Sequence, residues 1–229
     1  MTKEIKATET IGFAMLVSVV GGMMDGYSYI VRGGVFANGQ TGNFLKLAIG
    51  LAEMDTEKML RSIIPIIGFW IGIFTAHHIQ TKIIQKDPES IHDDRWKIWV
   101  LVLEMVLLFI VGFVPDSVLH LVPNTLISFT ASMQYCTFRY LNGSMGYSSV
   151  FASGNMRSTA EQYYNWLVLR QDANRPKALQ YSSIMASFFL GALVVALLAR
   201  FLQEKAIWIA SVLLLAGILR VMNALRSQQ

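Results

Sequence analysis

The stretch "GGVFANGQTGN" at residues 33–43 decides how this chain folds. It directly follows an apolar run, yet it holds four glycines and four polar residues. Glycine weakens both helices and strands, and lipid cannot satisfy the amides and carbonyls of an irregular backbone. The stretch therefore predicts a break in a helical chain, at a place where the backbone is buried in protein or lies beside water.

The composition is that of an integral membrane protein. Of the 229 residues, 54% are hydrophobic and only 15% are charged, which is too apolar for an ordinary soluble domain of this length. A spanning helix needs about 20 mostly apolar residues. Six runs of suitable character occur, and they predict an all-α membrane protein that forms a single integral membrane domain over residues 1–229. The runs are 11–29, 59–80, 98–114, 118–140, 178–201 and 206–225.

The positive charges predict the orientation. Of the 19 Lys and Arg residues, 13 fall on the side that carries both termini and six on the other side, so both termini are expected in the cytoplasm. The basic residues flank apolar runs and form no continuous stripe, which argues for membrane topology and against a nucleic-acid partner. The single cysteine, Cys136, has no intrachain disulfide partner, and we expect it to serve in packing.

The chain contains an internal duplication. The segment "GVFANGQTGN" (34–43) aligns without gaps with "GYSSVFASGN" (146–155), and "FWIG" (69–72) corresponds to "FFLG" (188–191). Upstream, residues 23–29 correspond to 132–138, which places Asp25 opposite Gln134. Three spans is an odd number, so the second half enters the membrane from the opposite side. We therefore expect two inverted three-span repeats, at about 10–114 and 118–225, each with a glycine-rich break and a short half-helix.

The two breaks are the candidate solute site. If they face each other, two helix starts converge and offer free amides to an anionic or dipolar group. Asn43 and Asn155 are expected to cap the half-helices, and Thr41 and Ser153 to contact solute or backbone. The alternative is that the glycines serve only close helix packing and the polar residues only local backbone. The candidate substrate-binding residues are Asn38, Thr41, Gly42, Asn43, Gln134, Arg139, Ser153, Gly154, Asn155 and Arg157.

Asp25 is the strongest single candidate for a functional residue in the sequence, because a carboxylate inside a membrane is energetically costly and usually has a functional role. It lies near the far end of the first apolar run. Two roles stay open at this point. Asp25 either binds a coupling cation or proton, or it pairs with Arg32 or Arg139.

Glu104 and His78 form a second candidate group for coupling or proton transfer. Both lie at similar depths in neighbouring runs, so a pair between them is geometrically feasible, either as a proton relay or as a structural contact. The adjacent His77 and His78 point about 100° apart on a helix, so no metal site is predicted.

The sequence carries no signature of an enzyme: phosphate-binding loop, metalloprotease, hydrolase-elbow and dinucleotide motifs are all missing. We expect neither enzymatic activity nor a cofactor. The leading hypothesis is a transporter or channel for a small solute, with an anion as the first candidate. A non-transporting scaffold or accessory subunit is the alternative, and an intramembrane enzyme acting on lipid is the weakest reading. Besides the bilayer and the solute, a second copy in a homodimer is the partner that a chain this small would use to complete a transport unit.

The segment "GGMMDGYSYIVRGGVFANGQTGNFLKLAIGLA" (21–52), together with "SMQYCTFRYLNG" and "VFASGN", resembles the YoaK-like family of uncharacterised bacterial membrane proteins. The resemblance is carried by Met24-Asp25, by the Gly-x-Phe of 34–36 and by the Thr-Gly-Asn of 41–43, and it extends over nearly the whole chain. It implies a bacterial inner-membrane protein with about six spans. It implies no function, so the site hypothesis depends on the residues alone.

Overall fold

A computed structural model describes residues 5–90, 94–117 and 119–227 of the chain. These residues form an almost entirely helical protein, as predicted. Eight α-helices are described, and one two-residue antiparallel hairpin pairs Tyr140–Leu141 (β1) with Met145–Gly146 (β2). The helices are α1 (Ile11–Val31), α2 (Gln40–Ala52), α3 (Thr56–Lys86), α4 (Arg95–Val111), α5 (Leu121–Thr137), α6 (Ala152–Leu167), α7 (Arg175–Leu202) and α8 (Trp208–Arg226).

Local sequence signals explain several helix starts. Thr10 caps α1 by accepting a hydrogen bond from the amide of Phe13, and Asp55 caps α3 by accepting one from Lys58. Proline occupies the first turn of α7, where its missing amide hydrogen is not needed. The helix α3 instead carries Pro65 in its interior and continues through it.

Three helical segments are long and apolar enough to cross a membrane: Ile11–Val31, Thr56–Lys86 and Asp172–Arg226. The third is 55 residues long and contains both α7 and α8, which a 3-10 turn at Gln203–Ile207 separates. The helices α4 and α5 have 17 residues each, fewer than the roughly 20 that a straight span needs. Six spans therefore stay a prediction. Val118, the expected start of the fourth run, lies outside the described residues.

Glycines allow the closest helix crossings. A Cβ added to Gly22 would overlap the carbonyl oxygen of Phe188, and one added to Gly191 would overlap that of Val19, so α1 and α7 touch backbone to backbone. In the same way a Cβ on Gly72 would overlap the carbonyl oxygen of Phe129, where α3 crosses α5. Small residues at such crossings are the usual means of packing helices in a membrane.

The helix contacts follow a regular pattern. The helix α1 packs against α7, and α3 packs against α5. The short helix α2 lies on α3, and the short helix α6 lies on α7. In addition, α4 contacts α5, α8 contacts α1, and α4 contacts α8. These pairings are unchanged when the first four helices exchange places, in order, with the last four, whereas a further contact between α3 and α4 has no counterpart of similar extent between α7 and α8.

The main core surrounds α1. Phe13, Val17, Met24 and Tyr27 of this helix are fully buried. They belong to one hydrophobic cluster with residues from α4, α5, α7 and α8, among them Leu101, Ile127, Ile184 and Leu214. The position of α1 in the centre of the bundle fixes where the breaks that follow α1 and α5 can meet.

A buried carboxylate ties the N-terminal segment to α4. Asp94 is fully buried and lies 3.2 Å from the Lys6 ammonium and 3.1 Å from that of Lys97. It also accepts a hydrogen bond from the Thr8 hydroxyl. Two cations and a hydroxyl compensate the burial of one carboxylate, so this group is accounted for as a structural anchor.

Candidate functional site between the helix breaks

The first break begins with two glycines in the left-handed region. The helix α1 ends at Val31, and Gly33 and Gly34 have φ values of 85° and 71°, which side chains other than that of glycine rarely adopt. The chain then continues without regular secondary structure to Gly39 and starts α2 at Gln40. The second break passes through the β1–β2 hairpin and starts α6 at Ala152. Gln40 and Ala152 are paired in the internal alignment, so the two half-helices begin at equivalent positions.

The two breaks are in contact with each other. The Asn38 side-chain amide donates to the carbonyl of Gly21 at 2.9 Å and to that of Val150 at 3.3 Å. Asn38 and Val150 are also paired in the alignment, so the contact joins equivalent positions. Gln134 supports the same region by donating to the carbonyl of Val17 and to the Ser149 hydroxyl, both at 2.9 Å. Asn38 and Gln134 are fully buried, and both hold backbone in place.

A cavity of about 660 Å³, called here the central cavity, lies at this contact. Both halves of the chain contribute to it: Thr41 and Ser153 are paired in the alignment, as are Phe69 and Phe188. Its polar lining includes Asp25, Gln40, Thr41, Ser148, Ser153 and the backbone of Gly154. The starts of α2 and α6 therefore open onto one space.

Asp25 lines the central cavity and makes no ion pair within the described residues. One carboxylate oxygen accepts a hydrogen bond from the backbone amide of Asn38 at 3.1 Å. Arg32 is engaged elsewhere: its guanidinium donates to the Tyr27 hydroxyl at 2.9 Å and to the carbonyl of Val114 at 2.6 Å. The alternative in which Asp25 pairs with Arg32 or Arg139 is therefore wrong, and the cation or proton role stays a prediction.

The capping prediction for the asparagines is wrong. The residues that precede α2 and α6 are Gly39 and Phe151, both extended, and neither provides a side-chain cap. Each half-helix starts about one turn earlier than predicted, which places Asn43 and Asn155 inside it. Both asparagines are buried. The first amides of both helices are thus left without a side-chain acceptor, which is what a site for a negatively polarised group requires.

The two asparagines stabilise the breaks in another way. The Asn155 side chain accepts a hydrogen bond from the amide of Ser148 at 3.0 Å and donates to the carbonyl of the same residue at 2.6 Å. Asn43 donates to the Gln40 side chain at 2.8 Å. Gly42, the remaining residue of the Thr-Gly-Asn motif, has open space where a side chain would lie.

None of the arginines expected at the site lines the central cavity. Arg139 is exposed and lies with His77 and Asn155 on a neighbouring cavity of about 540 Å³, which shares Tyr135, Ser148 and Gly154 with the central cavity. Arg157 is exposed on α6 and pairs with Glu161 at 2.8 Å. Arg139 thus stands at an approach to the site, whereas Arg157 lies on the surface.

The predicted Glu104–His78 pair does not form. Glu104 is fully buried in α4, and neither of its carboxylate oxygens has a hydrogen-bond partner among the residues that the structure describes. His78 is exposed on α3 and lies beside Trp99 on a shallow apolar surface cavity. The two residues are therefore separated: Glu104 lies inside the helix bundle and His78 on its surface. Within the described ranges, no group of three or more His, Cys, Asp or Glu residues could hold a metal.

The aromatic lining of the central cavity was not assigned to the site from sequence. Phe44, Phe69, Tyr135, Phe151 and Phe188 all line it, and the rings of Tyr135 and Phe151 meet edge to face with centroids 4.9 Å apart. The paired "FWIG" and "FFLG" segments carried a signal for two of these residues. Phe44 and Phe151 lie at the starts of α2 and α6, which sequence placed one turn too late, whereas Tyr135 lies near the end of α5.

The helices and the paired breaks define a multi-helix membrane protein. The chain belongs to the family described as "Protein of unknown function (DUF1275)", whose model matches residues 13–220. It is 26% identical over 212 residues to the UPF0700 transmembrane protein YoaK of Bacillus subtilis (strain 168), a match that covers 87% of this chain and 88% of that protein. No solved structure matches the chain. The predicted YoaK-like membership is confirmed, and with it a membrane protein.

Proposed function

We propose that this protein is a membrane transporter or channel for a small solute, built from two inverted three-span repeats and with its site in the central cavity. Three features support the repeats: the exchangeable helix contacts, the equivalent starts of α2 and α6, and the Asn38–Val150 contact between aligned positions. Transporters built in this way place their sites where two broken elements meet near the membrane midplane.

The central cavity is the observation that favours transport over scaffolding. In a scaffold, the breaks would only lock helices together and would meet in a dry, closely packed contact. Here the contact leaves about 660 Å³ of space with polar groups from both halves on its wall. The close, glycine-mediated packing that a scaffold uses occurs at the α1–α7 and α3–α5 crossings instead.

The lining favours a solute with a carboxylate or other strong acceptor group. Two uncapped helix starts offer amides and positive dipole ends to such a group. Asp25 is the opposing element, because it is the one ionisable acid among the described lining residues, which include no Lys, Arg or His. A solute anion would be repelled unless a proton or cation neutralises Asp25. We therefore infer that Asp25 takes up the coupling ion when the solute binds.

The remaining features of the proposal concern placement in the cell. The 13 to six distribution of Lys and Arg favours a bacterial cytoplasmic membrane with both termini inside. A homodimer is the assembly that we propose for a chain of this size. The proposal includes no enzymatic step.

Solute counterflow in proteoliposomes tests the function. Proteoliposomes that contain the purified protein would be loaded in turn with unlabelled acetate, inorganic phosphate or neutral amino acids. Exchange with the same labelled solute added outside would then be measured. We expect exchange of a carboxylate-bearing solute by the wild type and its loss in Ser153→Phe, because a phenyl ring in the cavity wall fills the site.

Ser183→Phe is the matched control, since Ser183 lies on α7 and is not among the lining residues. Exchange that survives Ser153→Phe would remove the central cavity from the mechanism. Exchange of none of the solutes by the wild type would return the scaffold alternative to first place.

A further inference from the structure

A second, separate cavity of about 540 Å³ lies beside the start of the first break. It is called here the Arg32 cavity, and it is formed by Arg32 and Gly33, by the first half of α3 and by the segment that enters α5. Among the described residues, it shares no lining residue with the central cavity. Its described lining contains the polar residues Arg32, Glu57, Arg61, Asp116, Ser117, His120 and Asn124.

Three buried polar atoms of these lining residues have no hydrogen-bond partner in the described part of the chain: Arg32 Nη1, His120 Nδ1 and Asn124 Oδ1. Buried polar groups are nearly always satisfied, and an unpaired donor on a charged group is especially costly. Three such atoms on residues that line one cavity are therefore candidates to bond a ligand there.

Hydrogen bonds to Nε and Nη2 hold the Arg32 guanidinium in place, and they leave Nη1 as its unbonded nitrogen among the described residues. The side chain is fully buried, with Nε bonded to the Tyr27 hydroxyl at 2.9 Å. Nη2 donates to the carbonyls of Val111 at 3.2 Å and Val114 at 2.6 Å. Asn124, which is only 4% exposed, donates its amide to the carbonyl of Arg32 at 2.9 Å. That bond leaves the Asn124 side-chain oxygen free as an acceptor.

The buried end of the cavity carries a single cation, whereas the exposed end carries groups of both charges. The buried end carries the Arg32 guanidinium. The exposed end carries two carboxylates: Glu57, which pairs with Arg61 at 2.5 Å, and Asp116, which lies 3.7 Å from His120 Nε2. A ligand that fits these groups has a negative group directed inward, toward Arg32, and a positive group directed toward the outer carboxylates Glu57 and Asp116.

We propose that the Arg32 cavity binds a small zwitterion of the amino-acid type. Its carboxylate accepts from Arg32 Nη1, and its ammonium group donates to Asn124 Oδ1 and faces the carboxylates of Glu57 and Asp116. The site is independent of transport through the central cavity.

Isothermal titration of the full-length protein in detergent tests this site, with glycine, alanine, serine, acetate, methylamine and inorganic phosphate as probes. We expect a small amino acid to bind. Acetate and methylamine each make only one of the two polar contacts, so we expect each to bind about tenfold more weakly or worse. Equal binding of acetate or phosphate would overturn the assignment of a zwitterion, and binding of no probe would overturn the site.

Two variants locate the binding. Leu60 lines the cavity and is half exposed, so Leu60→Trp is expected to fill the cavity and abolish binding. Asn124→Leu is expected to weaken amino-acid binding about tenfold and to leave the weak binding of acetate unchanged. Arg32→Gln also removes the bonds to Val111 and Val114, so the test relies on Leu60 and Asn124.

Leu197→Trp is the matched control, because Leu197 is similarly exposed on α7 and lies outside the cavity. Amino-acid binding that persists unchanged in Leu60→Trp or Asn124→Leu would place the site elsewhere and overturn the proposal. If the wild-type protein binds amino acids at this cavity but shows no counterflow in proteoliposomes, that result would count against the proposed transport function alone.

Discussion

Asn38 and Asp25 lie close together at the first break but have different roles, one structural and one chemical. Asn38 was predicted to contact solute, yet it is fully buried and bonds the backbone of both halves. Its own backbone amide in turn orients Asp25. Asn38 thus positions the site, and Asp25 faces the cavity as its charged group.

For Asn38→Leu we expect a loss of stability of about 1–3 kcal/mol, because the carbonyls of Gly21 and Val150 lose a buried donor. The midpoint of unfolding in detergent measures this. Asn223→Leu, at an exposed position on α8, is the control and should leave the midpoint nearly unchanged. Equal midpoints for the two variants would show that the bonds between the breaks contribute nothing.

Asp25→Asn and Asp25→Leu separate charge from geometry. Asparagine keeps an oxygen to accept the Asn38 amide, whereas leucine does not. We expect both variants to lose the dependence of counterflow on a proton or cation gradient, and only Asp25→Leu to lose stability as well. Gradient-driven uptake by Asp25→Asn at the wild-type rate would exclude Asp25 as the coupling group.

At the scale of the elements, the glycine crossings set the distance between helices. Gly22 and Gly191 bring α1 and α7 into backbone contact, and Gly72 does the same for α3 and α5. The partner atoms are carbonyl oxygens of the facing helix, which cannot rotate away as a side chain would. The crossings therefore have little capacity to absorb a larger residue.

Gly22→Ala is accordingly expected to destabilise the protein by about 1–3 kcal/mol through overpacking. Gly42→Ala, in α2, is the matched control: a Cβ there meets nothing within 4 Å, and the change should be neutral or stabilise the helix by about 0.5–1 kcal/mol. Unfolding midpoints of the two variants provide the comparison. A Gly22→Ala protein as stable as wild type would mean that α1 and α7 are not in backbone contact.

Sequence predicted the helices and the position of the breaks, because apolar length and glycine content report on them directly. It placed the starts of α2 and α6 about one turn too late, because it favoured Asn43 and Asn155 as caps over Gly39 and Phe151. It also paired Glu104 with His78 from their depth alone. Depth along a helix does not fix the face on which a side chain lies, and packing decides that.

At the scale of the whole molecule, the exchangeable helix contacts predict that the loops after α2 and α6 lie on opposite sides of the membrane. Met54 and Arg170 stand in these two loops, both exposed and both with positive φ. With both termini inside, Met54 lies outside and Arg170 inside.

Single-cysteine labelling tests this arrangement. In a Cys136→Ala background, a membrane-impermeant maleimide should label Met54→Cys in intact cells and Arg170→Cys only after permeabilisation. Labelling of both from the same face would rule out the inverted repeat. Labelling of Arg170→Cys alone in intact cells would keep the repeat and reverse the orientation.

The α1–α7 crossing has a consequence for how the protein is made. Gly22 and Gly191 are about 170 residues apart in the chain. At a synthesis rate of about 5–20 residues per second, roughly 10–30 s pass between the emergence of the two positions from the ribosome. During that interval we expect α1 to lie in the bilayer with Asp25 and its small-residue face uncovered. We therefore expect the insertion machinery to shelter the first helix until the seventh arrives, which would make biogenesis of this protein depend on its last third.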